Sequence, residues 1–181
     1  MKVVLGAVLL FSVSCAVATF GQDAALTAAM AACGPTQDRL KVTPDSTQQT
    51  LTEPEPGKAL LVIIQDNGFY NHIVGSGLTY KVGVDGAWIG GINRHSPYLA
   101  FSLTPGEHHL CANWQSRLFA DIASRAVALA HVEAETDKTY YFRIRQWESQ
   151  TQVHVDLDPV DSDQGRLLIA TSHSKKIGMR P

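Results

Sequence analysis

The sequence predicts an all-β protein: an antiparallel β-sandwich of about seven strands, with a short N-terminal helix and a short C-terminal helix. Asp85-Gly86 separates two alternating apolar runs, which is the strongest short-range signal for a β-hairpin. Residues 59–65 form a continuous apolar run, as expected of a strand buried on both faces. Further short strand-like segments, separated by turn residues, follow as far as Leu157, a pattern typical of sandwiches.

The N-terminus has the layout of a secretory signal. Lys2 precedes an apolar run over residues 3–13, which is shorter than the roughly 20 residues that a membrane-spanning helix needs. We assign residues 1–21 to a signal peptide, cleaved within 18–22. Cys15 lies in a lipobox-like stretch and leaves an alternative open, a lipoprotein anchored through this residue. The sequence therefore predicts an exported protein, periplasmic or secreted, with no membrane span.

Residues 22–57 precede the strand-forming part of the chain. The Ala-, Leu- and Met-rich stretch 24–32 predicts a short helix, and the polar remainder predicts an extended tether. Cys33 and Cys111 are the two cysteines left after removal of the signal. In an exported chain such a pair is best explained by one disulfide, while two buried thiols or a metal-binding pair are the alternatives.

The first hairpin lies near the middle of the strand domain, which is predicted over residues 58–157. A two-residue loop at Asp85-Gly86 places four apolar side chains on one face: Val82, Val84, Ala87 and Ile89. On the other face Trp88 lies over Gly83, where the indole covers backbone that the glycine leaves bare.

A second hairpin is predicted over residues 98–114, with its turn at Pro105-Gly106. Five apolar side chains then share its buried face: Leu99, Phe101, Leu103, Leu110 and Ala112. Cys111 falls on the opposite face, beside Ala100, so a bond to Cys33 would draw the tether across the outside of that sheet. Because Pro-Gly suits a type II turn, which fits hairpins poorly, a longer loop and another register remain open.

A third hairpin is predicted between residues 126–135 and 139–147, followed by a strand over 152–157. Alternation places Phe142 and Ile144 in the core and the other large side chains outside: Tyr141, Arg143, Arg145 and Trp147. These four residues form a possible binding face, because aromatic rings stack on sugar rings and guanidinium groups bind anions. The alternative is a solvated sheet face whose arginines stack on neighbouring aromatic rings.

The last region, residues 158–181, is predicted as a short helix and a tail. Asp158 is the expected N-cap, Pro159 occupies the first helical position, and an apolar run follows at 167–170. A calcium loop is an alternative explanation of the acidic residues 156–163, but their spacing departs from the EF-hand pattern.

The sequence contains no motif for catalysis, cofactor binding or metal binding. His108 and His109 are adjacent, and adjacent residues of a strand point to opposite faces. A hydrolase-type enzyme with an unrecognised site is the alternative in a different functional class. It would require titratable groups that converge in a cleft, such as His95, His131 and an acidic residue.

Several turns and strands together resemble a known family. The matching segments are residues 82–90 (Val-Gly-Val-Asp-Gly-Ala-Trp-Ile-Gly), 98–101, 105–108 (Pro-Gly-Glu-His) and 138–142 (Lys-Thr-Tyr-Tyr-Phe). This set resembles a family of exported bacterial domains of unknown function that look like PEGA-type surface β-domains, with coverage of about residues 58–147. The resemblance implies a small secreted or lipid-anchored β-sandwich with no catalytic residues to carry over.

The function expected from the sequence is that of an exported, non-enzymatic domain of the bacterial envelope. It would act by binding an unknown envelope protein or glycan, or as a structural element. The formal net charge is −2 and the lysines and arginines are scattered, which argues against a nucleic-acid partner. No cofactor is expected.

Overall fold

The computed structural model describes residues 31–35, 38–42, 53–66, 79–116, 126–149 and 152–172. The predicted signal peptide, its cleavage site and Cys15 lie outside these residues. So does most of the helix predicted over 24–32, whose two described residues, Ala31 and Ala32, form a turn. In the described part of the chain, no helix has the length and apolar character needed to cross a membrane.

The described residues form eight strands and one helix, arranged as two four-stranded sheets that face each other. In chain order the elements are β1 (Ala59–Gln65), β2 (Thr79–Val84), β3 (Ala87–Asn93), β4 (Tyr98–Leu103), β5 (Gly106–Gln115), β6 (Val127–Ala134), β7 (Thr139–Ser149), β8 (Gln152–Val160) and α1 (Ser162–Ser172). Sheet 1 has the strand order β4-β1-β7-β8 and sheet 2 has the order β3-β2-β5-β6. The predicted β-sandwich class is confirmed.

Strand β1 explains why its sequence is apolar without a break. Ala59, Leu61 and Ile63 lie in the core between the sheets, and the intervening residues pack on the outer side of sheet 1. β1 pairs antiparallel with β4 but parallel with β7. The expectation of a wholly antiparallel fold is therefore wrong for this one pair, because β7 enters sheet 1 from the opposite sheet rather than from a hairpin with β1.

The hairpin of β2 and β3 turns at Asp85-Gly86, as predicted, and both turn residues have positive φ. Trp88 pairs with Gly83 and lies against it, also as predicted. The register then shifts at a bulge, so Val82 pairs with Gly90, and Ile89, expected on the buried face, is 37% exposed. A Cβ atom at position 90 would lie 2.8 Å from Leu99 Cδ2, so any larger residue here would require the Leu99 side chain to move.

The second and third predicted hairpins are wrong. β4 pairs with β1 in sheet 1 while β5 pairs with β2 and β6 in sheet 2, and β6 and β7 likewise belong to different sheets. Both connections cross between the sheets. Alternation cannot separate the two topologies, because either one leaves the same residues facing the core.

The buried set predicted for the second hairpin does face the core despite the different pairing. Leu103, Leu110 and Ala112 are buried there, and Leu99 and Phe101 pack against them. Cys111 lies on the outer face, as predicted, but its neighbours are Gly83 and Leu129 rather than Ala100.

The C-terminal helix begins later than predicted. Asp158 and Pro159 belong to β8, an edge strand of sheet 1, where a proline is tolerated because one side of the strand needs no partner. Asp161 is the N-cap instead, since its Oδ1 atom accepts hydrogen bonds from the backbone N–H groups of Asp163 and Gln164, both at 2.9 Å.

A disulfide joins the N-terminal segment to sheet 2. We call residues 31–35 and 38–42 the strap. Cys33 in the strap is bonded to Cys111 on β5, with 5.2 Å between their Cα atoms. The strap therefore crosses the outer face of sheet 2, as the predicted pairing required.

Side chains of sheet 2 bind the backbone of the strap. Trp88 Nε1 donates a hydrogen bond to the carbonyl of Pro35 at 2.8 Å, and Lys81 Nζ donates one to the carbonyl of Asp38 at 3.1 Å. The Lys81 ammonium also lies 4.1 Å from the centre of the Trp88 ring. Lys81 is only 3% exposed, and this burial lowers the pKa of its ammonium group. The strap thus forms a third layer over part of sheet 2.

Candidate functional site

Helix α1 packs on part of the outer face of sheet 1. Leu168 and Ile169 pack over an apolar cluster that α1 shares with β1, β4 and β7: Leu60, Val62, Ile64, Tyr98 and Tyr141. A Cβ atom at Gly165 would lie 2.5 Å from the Tyr141 ring, so this glycine allows the helix to lie directly on the tyrosine. Tyr141, predicted as part of the binding face, is only 7% exposed. The possible binding face therefore does not include it.

Trp147 lies on the same side of sheet 1, beyond the helix, and is 44% exposed. Its indole stacks on the ring of His154, with centroids 4.0 Å apart and an interplanar angle of 9°. Its Nε1 atom donates a hydrogen bond to Asp156 Oδ2 at 2.9 Å. His154 Nε2 in turn lies 3.0 Å from Ser149 Oγ. We call Trp147 and His154 the aromatic platform. His154 covers one face of the indole, Asp156 accepts a hydrogen bond from its N–H edge, and 44% of the residue is exposed.

The platform follows from the pairing of β7 with β8, in which Trp147 lies opposite His154. Cross-strand neighbours on one face of an antiparallel pair have Cβ atoms about 5 Å apart, close enough for rings to stack. Alternation along β7 predicts Trp147 on this face but gives no indication of its partner His154. The signal that could have found it is the register of a β7–β8 hairpin, since both strands were predicted but were not paired with each other.

Arg143 and Arg145 belong to a cluster of ion pairs beside the platform. Arg145 Nη2 donates a hydrogen bond to Asp158 Oδ2 at 2.6 Å and lies 3.7 Å from Asp156 Oδ2. Arg143 lies 3.8 Å from Asp158 and 3.9 Å from Asp66. We call these five residues the ion-pair cluster. The arginines do not stack on aromatic rings as one interpretation of the sequence required; they pair with carboxylates.

The ion-pair cluster affects the local charge of this face more than it affects the folding free energy. Its two arginines are outnumbered by three aspartates, so it carries one net negative charge at neutral pH. Partly exposed ion pairs of this kind contribute little to folding free energy, typically about 0–1 kcal/mol each. The cluster therefore sets the charge around the platform without being needed to hold the sheet together.

A second cluster of polar side chains, around His108, lies at the other end of the sandwich. His108 Nδ1 lies 2.6 Å from Asp85 Oδ2, and its Nε2 lies 2.8 Å from the carbonyl oxygen of Thr104. Two acceptors require two N–H donors, which only the imidazolium form supplies. Desolvation lowers the pKa of His108, but these bonds outweigh it and the net shift is upward. The same contacts, with the His109 N–H, outweigh desolvation of Asp85 and lower its pKa.

His109 points to the outer face of sheet 2, opposite to His108, as predicted. Its ring lies 5.7 Å from that of His131, its cross-strand neighbour. Both Nε2 atoms approach Glu107 Oε1, at 3.6 Å and 3.3 Å. Among the residues that the structure describes, no three His, Cys, Asp or Glu side chains are placed to hold a metal ion.

The histidines named for the enzyme alternative do not come together. His95 lies in the turn between β3 and β4, where its Nε2 atom accepts a hydrogen bond from Arg94 Nε at 2.8 Å. His131 lies on β6, at the opposite edge of sheet 2. Three strand spacings, about 14 Å, separate the two edges. This pair therefore forms no common site.

The chain matches no protein-family model, and no curated protein matches it. The resemblance to PEGA-type domains stays a prediction.

Proposed function

We propose that this protein is an exported, non-enzymatic domain of the bacterial envelope that binds a glycan through the aromatic platform. The observation that carries the proposal is the indole of Trp147, 44% exposed and yet held in one orientation by His154 and Asp156. A large apolar side chain that is both exposed and fixed in place favours binding, because little conformational entropy is lost when a ligand covers it.

The chemistry around the indole suits a sugar. The exposed part of the indole offers a flat apolar surface for the C–H face of a pyranose ring. Asp156 Oδ2 accepts a hydrogen bond from the indole N–H, and the carboxylate has further lone pairs that can accept hydrogen bonds from sugar hydroxyls. Aromatic stacking with polar groups at its rim would fix both the plane and the rotation of the ligand.

The arrangement of the sandwich supports the same face. The strap covers part of the outer side of sheet 2, and α1 covers part of the outer side of sheet 1. The platform and the strap lie on opposite sides of the molecule, because they lie on the outer faces of different sheets.

Export is supported by the disulfide between Cys33 and Cys111, since such bonds persist mainly in oxidising compartments. The resemblance of the β2–β3 hairpin to PEGA-type surface domains supports the same location. We place the protein in the periplasm or outside the cell.

Affinity electrophoresis through gels that contain envelope polysaccharides tests the proposal. Trp147→Ala should weaken retention at least tenfold, which corresponds to about 1.4 kcal/mol, with little change in melting temperature. Leu167→Ala is the matched control, because Leu167 is also large, apolar and exposed, at 56%, but lies on α1. Retention that Trp147→Ala leaves unchanged, or that falls equally in both variants, would exclude the platform as the binding site.

A further inference from the structure

We infer that the aromatic platform takes a neutral glycan rather than an anionic one. The inference rests on the function proposed above and follows from the ion-pair cluster. The cluster adjoins the platform, because Asp156 belongs to the cluster and also accepts a hydrogen bond from Trp147 Nε1 at 2.9 Å. Any ligand that covers the indole therefore lies beside this carboxylate.

Both arginines already face carboxylates, Arg145 through a hydrogen bond and Arg143 through longer ion pairs, and the Nε atoms of both are buried without a hydrogen-bond partner. Recognition of a carboxylate, sulfate or phosphate by arginine uses two parallel N–H groups of a guanidinium. Arg145 directs Nη2 to Asp158 at 2.6 Å, and Arg143 lies between Asp66 and Asp158 at 3.9 and 3.8 Å. An anionic ligand that binds Arg145 Nη2 would have to displace the carboxylate of Asp158, which belongs to the same face. A neutral sugar has no need to do so.

The remaining charge opposes an anion. The cluster has one more carboxylate than guanidinium groups, and the platform lies well within the screening distance of about 10 Å at 0.1 M salt. Like charges at this separation repel a polyanion while leaving the stacking of a neutral sugar unaffected. Hydroxyl groups, which can donate to Asp156, are the polar groups that this face accepts.

Matched polymers that differ in charge but share a backbone test the inference. The pairs are dextran with dextran sulfate, and hydroxyethyl cellulose with carboxymethyl cellulose, each in affinity electrophoresis with the purified protein at low and high salt. We expect the neutral member of at least one pair to retain the protein at least tenfold more strongly than its anionic counterpart. We also expect this retention to be insensitive to salt.

Asp158→Asn makes the test specific to the cluster. The substitution keeps an acceptor oxygen for Arg145 but removes the charge that compensates both arginines, so retention by the anionic polymers should rise about fivefold at low salt. Glu133→Gln is the control, because it removes the same charge from an exposed position on sheet 2. It should leave all four retentions unchanged.

The outcomes separate the two proposals. Stronger retention of the wild type by the anionic polymers, lost in Trp147→Ala, would overturn the inference and leave the proposed function standing. No increase in anionic retention on Asp158→Asn, or an equal increase on Glu133→Gln, would also overturn the inference. Retention by none of the four polymers, or retention that Trp147→Ala does not weaken, would overturn both.

Discussion

Replacing both Cys33 and Cys111 with alanine removes the covalent link between the strap and sheet 2. The two residues are 78 positions apart in the sequence. In the loop-entropy model, cross-linking a loop of this length stabilises the folded state by about 4.5 kcal/mol, and removal of native disulfides typically costs about 2–5 kcal/mol. Noncovalent contacts of the strap remain, including two hydrogen bonds between the Leu40 backbone and the Gln115 amide at 2.8 and 2.9 Å. We therefore expect a folded but less stable protein.

Denaturant unfolding, followed by far-ultraviolet circular dichroism, measures this loss. The free energy of unfolding should fall by about 2–4.5 kcal/mol in the double alanine variant. The wild type under a reductant is the control, because it loses the bond but keeps both sulfur atoms. A loss below about 1 kcal/mol would refute the entropic reasoning. A loss in the variant without one in the reduced wild type would assign the effect to packing around the buried Cys111.

Two further predictions concern packing and pH. Gly165→Ala should destabilise the protein by about 1–3 kcal/mol in denaturant unfolding, because the new Cβ meets the Tyr141 ring at 2.5 Å. Helix propensity alone predicts the opposite, a stabilised variant. A stabilised variant would therefore contradict the packing of α1 on Tyr141. The free energy of unfolding should fall as pH rises from about 6.5 through the raised pKa of His108, while Asp85, whose pKa is lowered, stays ionised. His108→Gln should remove this slope, and a slope that persists would assign it to other groups.

Sequence reasoning succeeded where a short segment decides its own structure. The β2–β3 turn depends on Asp85 and Gly86, which adopt positive φ, and the contact of Trp88 with Gly83 follows directly from that turn. β1 was identified because burial on both faces leaves a continuous apolar run. In each case the deciding residues are neighbours in sequence or direct partners across one tight turn.

Sequence reasoning failed where distant segments decide the outcome. β4 and β5 lie on either side of Pro105-Gly106, yet they join different sheets. β4 pairs with β1, and β5 pairs with β2. The coverage of Tyr141 depends on Gly165, 24 positions along the chain. Both failures concern which partner a strand or side chain finds, and alternation carries no information about that.

The site was predictable only in part, for the same reason. The outward orientation of Trp147 and the two arginines follows from the alternation of β7, whose inward residues Phe142 and Ile144 lie in the core. The partners of these side chains, His154 and Asp158, come from β8 and are fixed by its register. The sequence therefore predicted where the positive charges lie but not that aspartates compensate them.

Nuclear magnetic resonance of the three tryptophan side chains tests the central claim most directly. Trp88 lies under the strap, Trp114 is buried in the core, and Trp147 forms the platform, so each indole N–H reports on a different region. Titration with cello-oligosaccharides and isomalto-oligosaccharides, the soluble fragments of the neutral polymers, should shift the Trp147 signal and leave those of Trp88 and Trp114 in place. Saturating ligand with an unmoved Trp147 signal, or movement at Trp88 instead, would contradict the account.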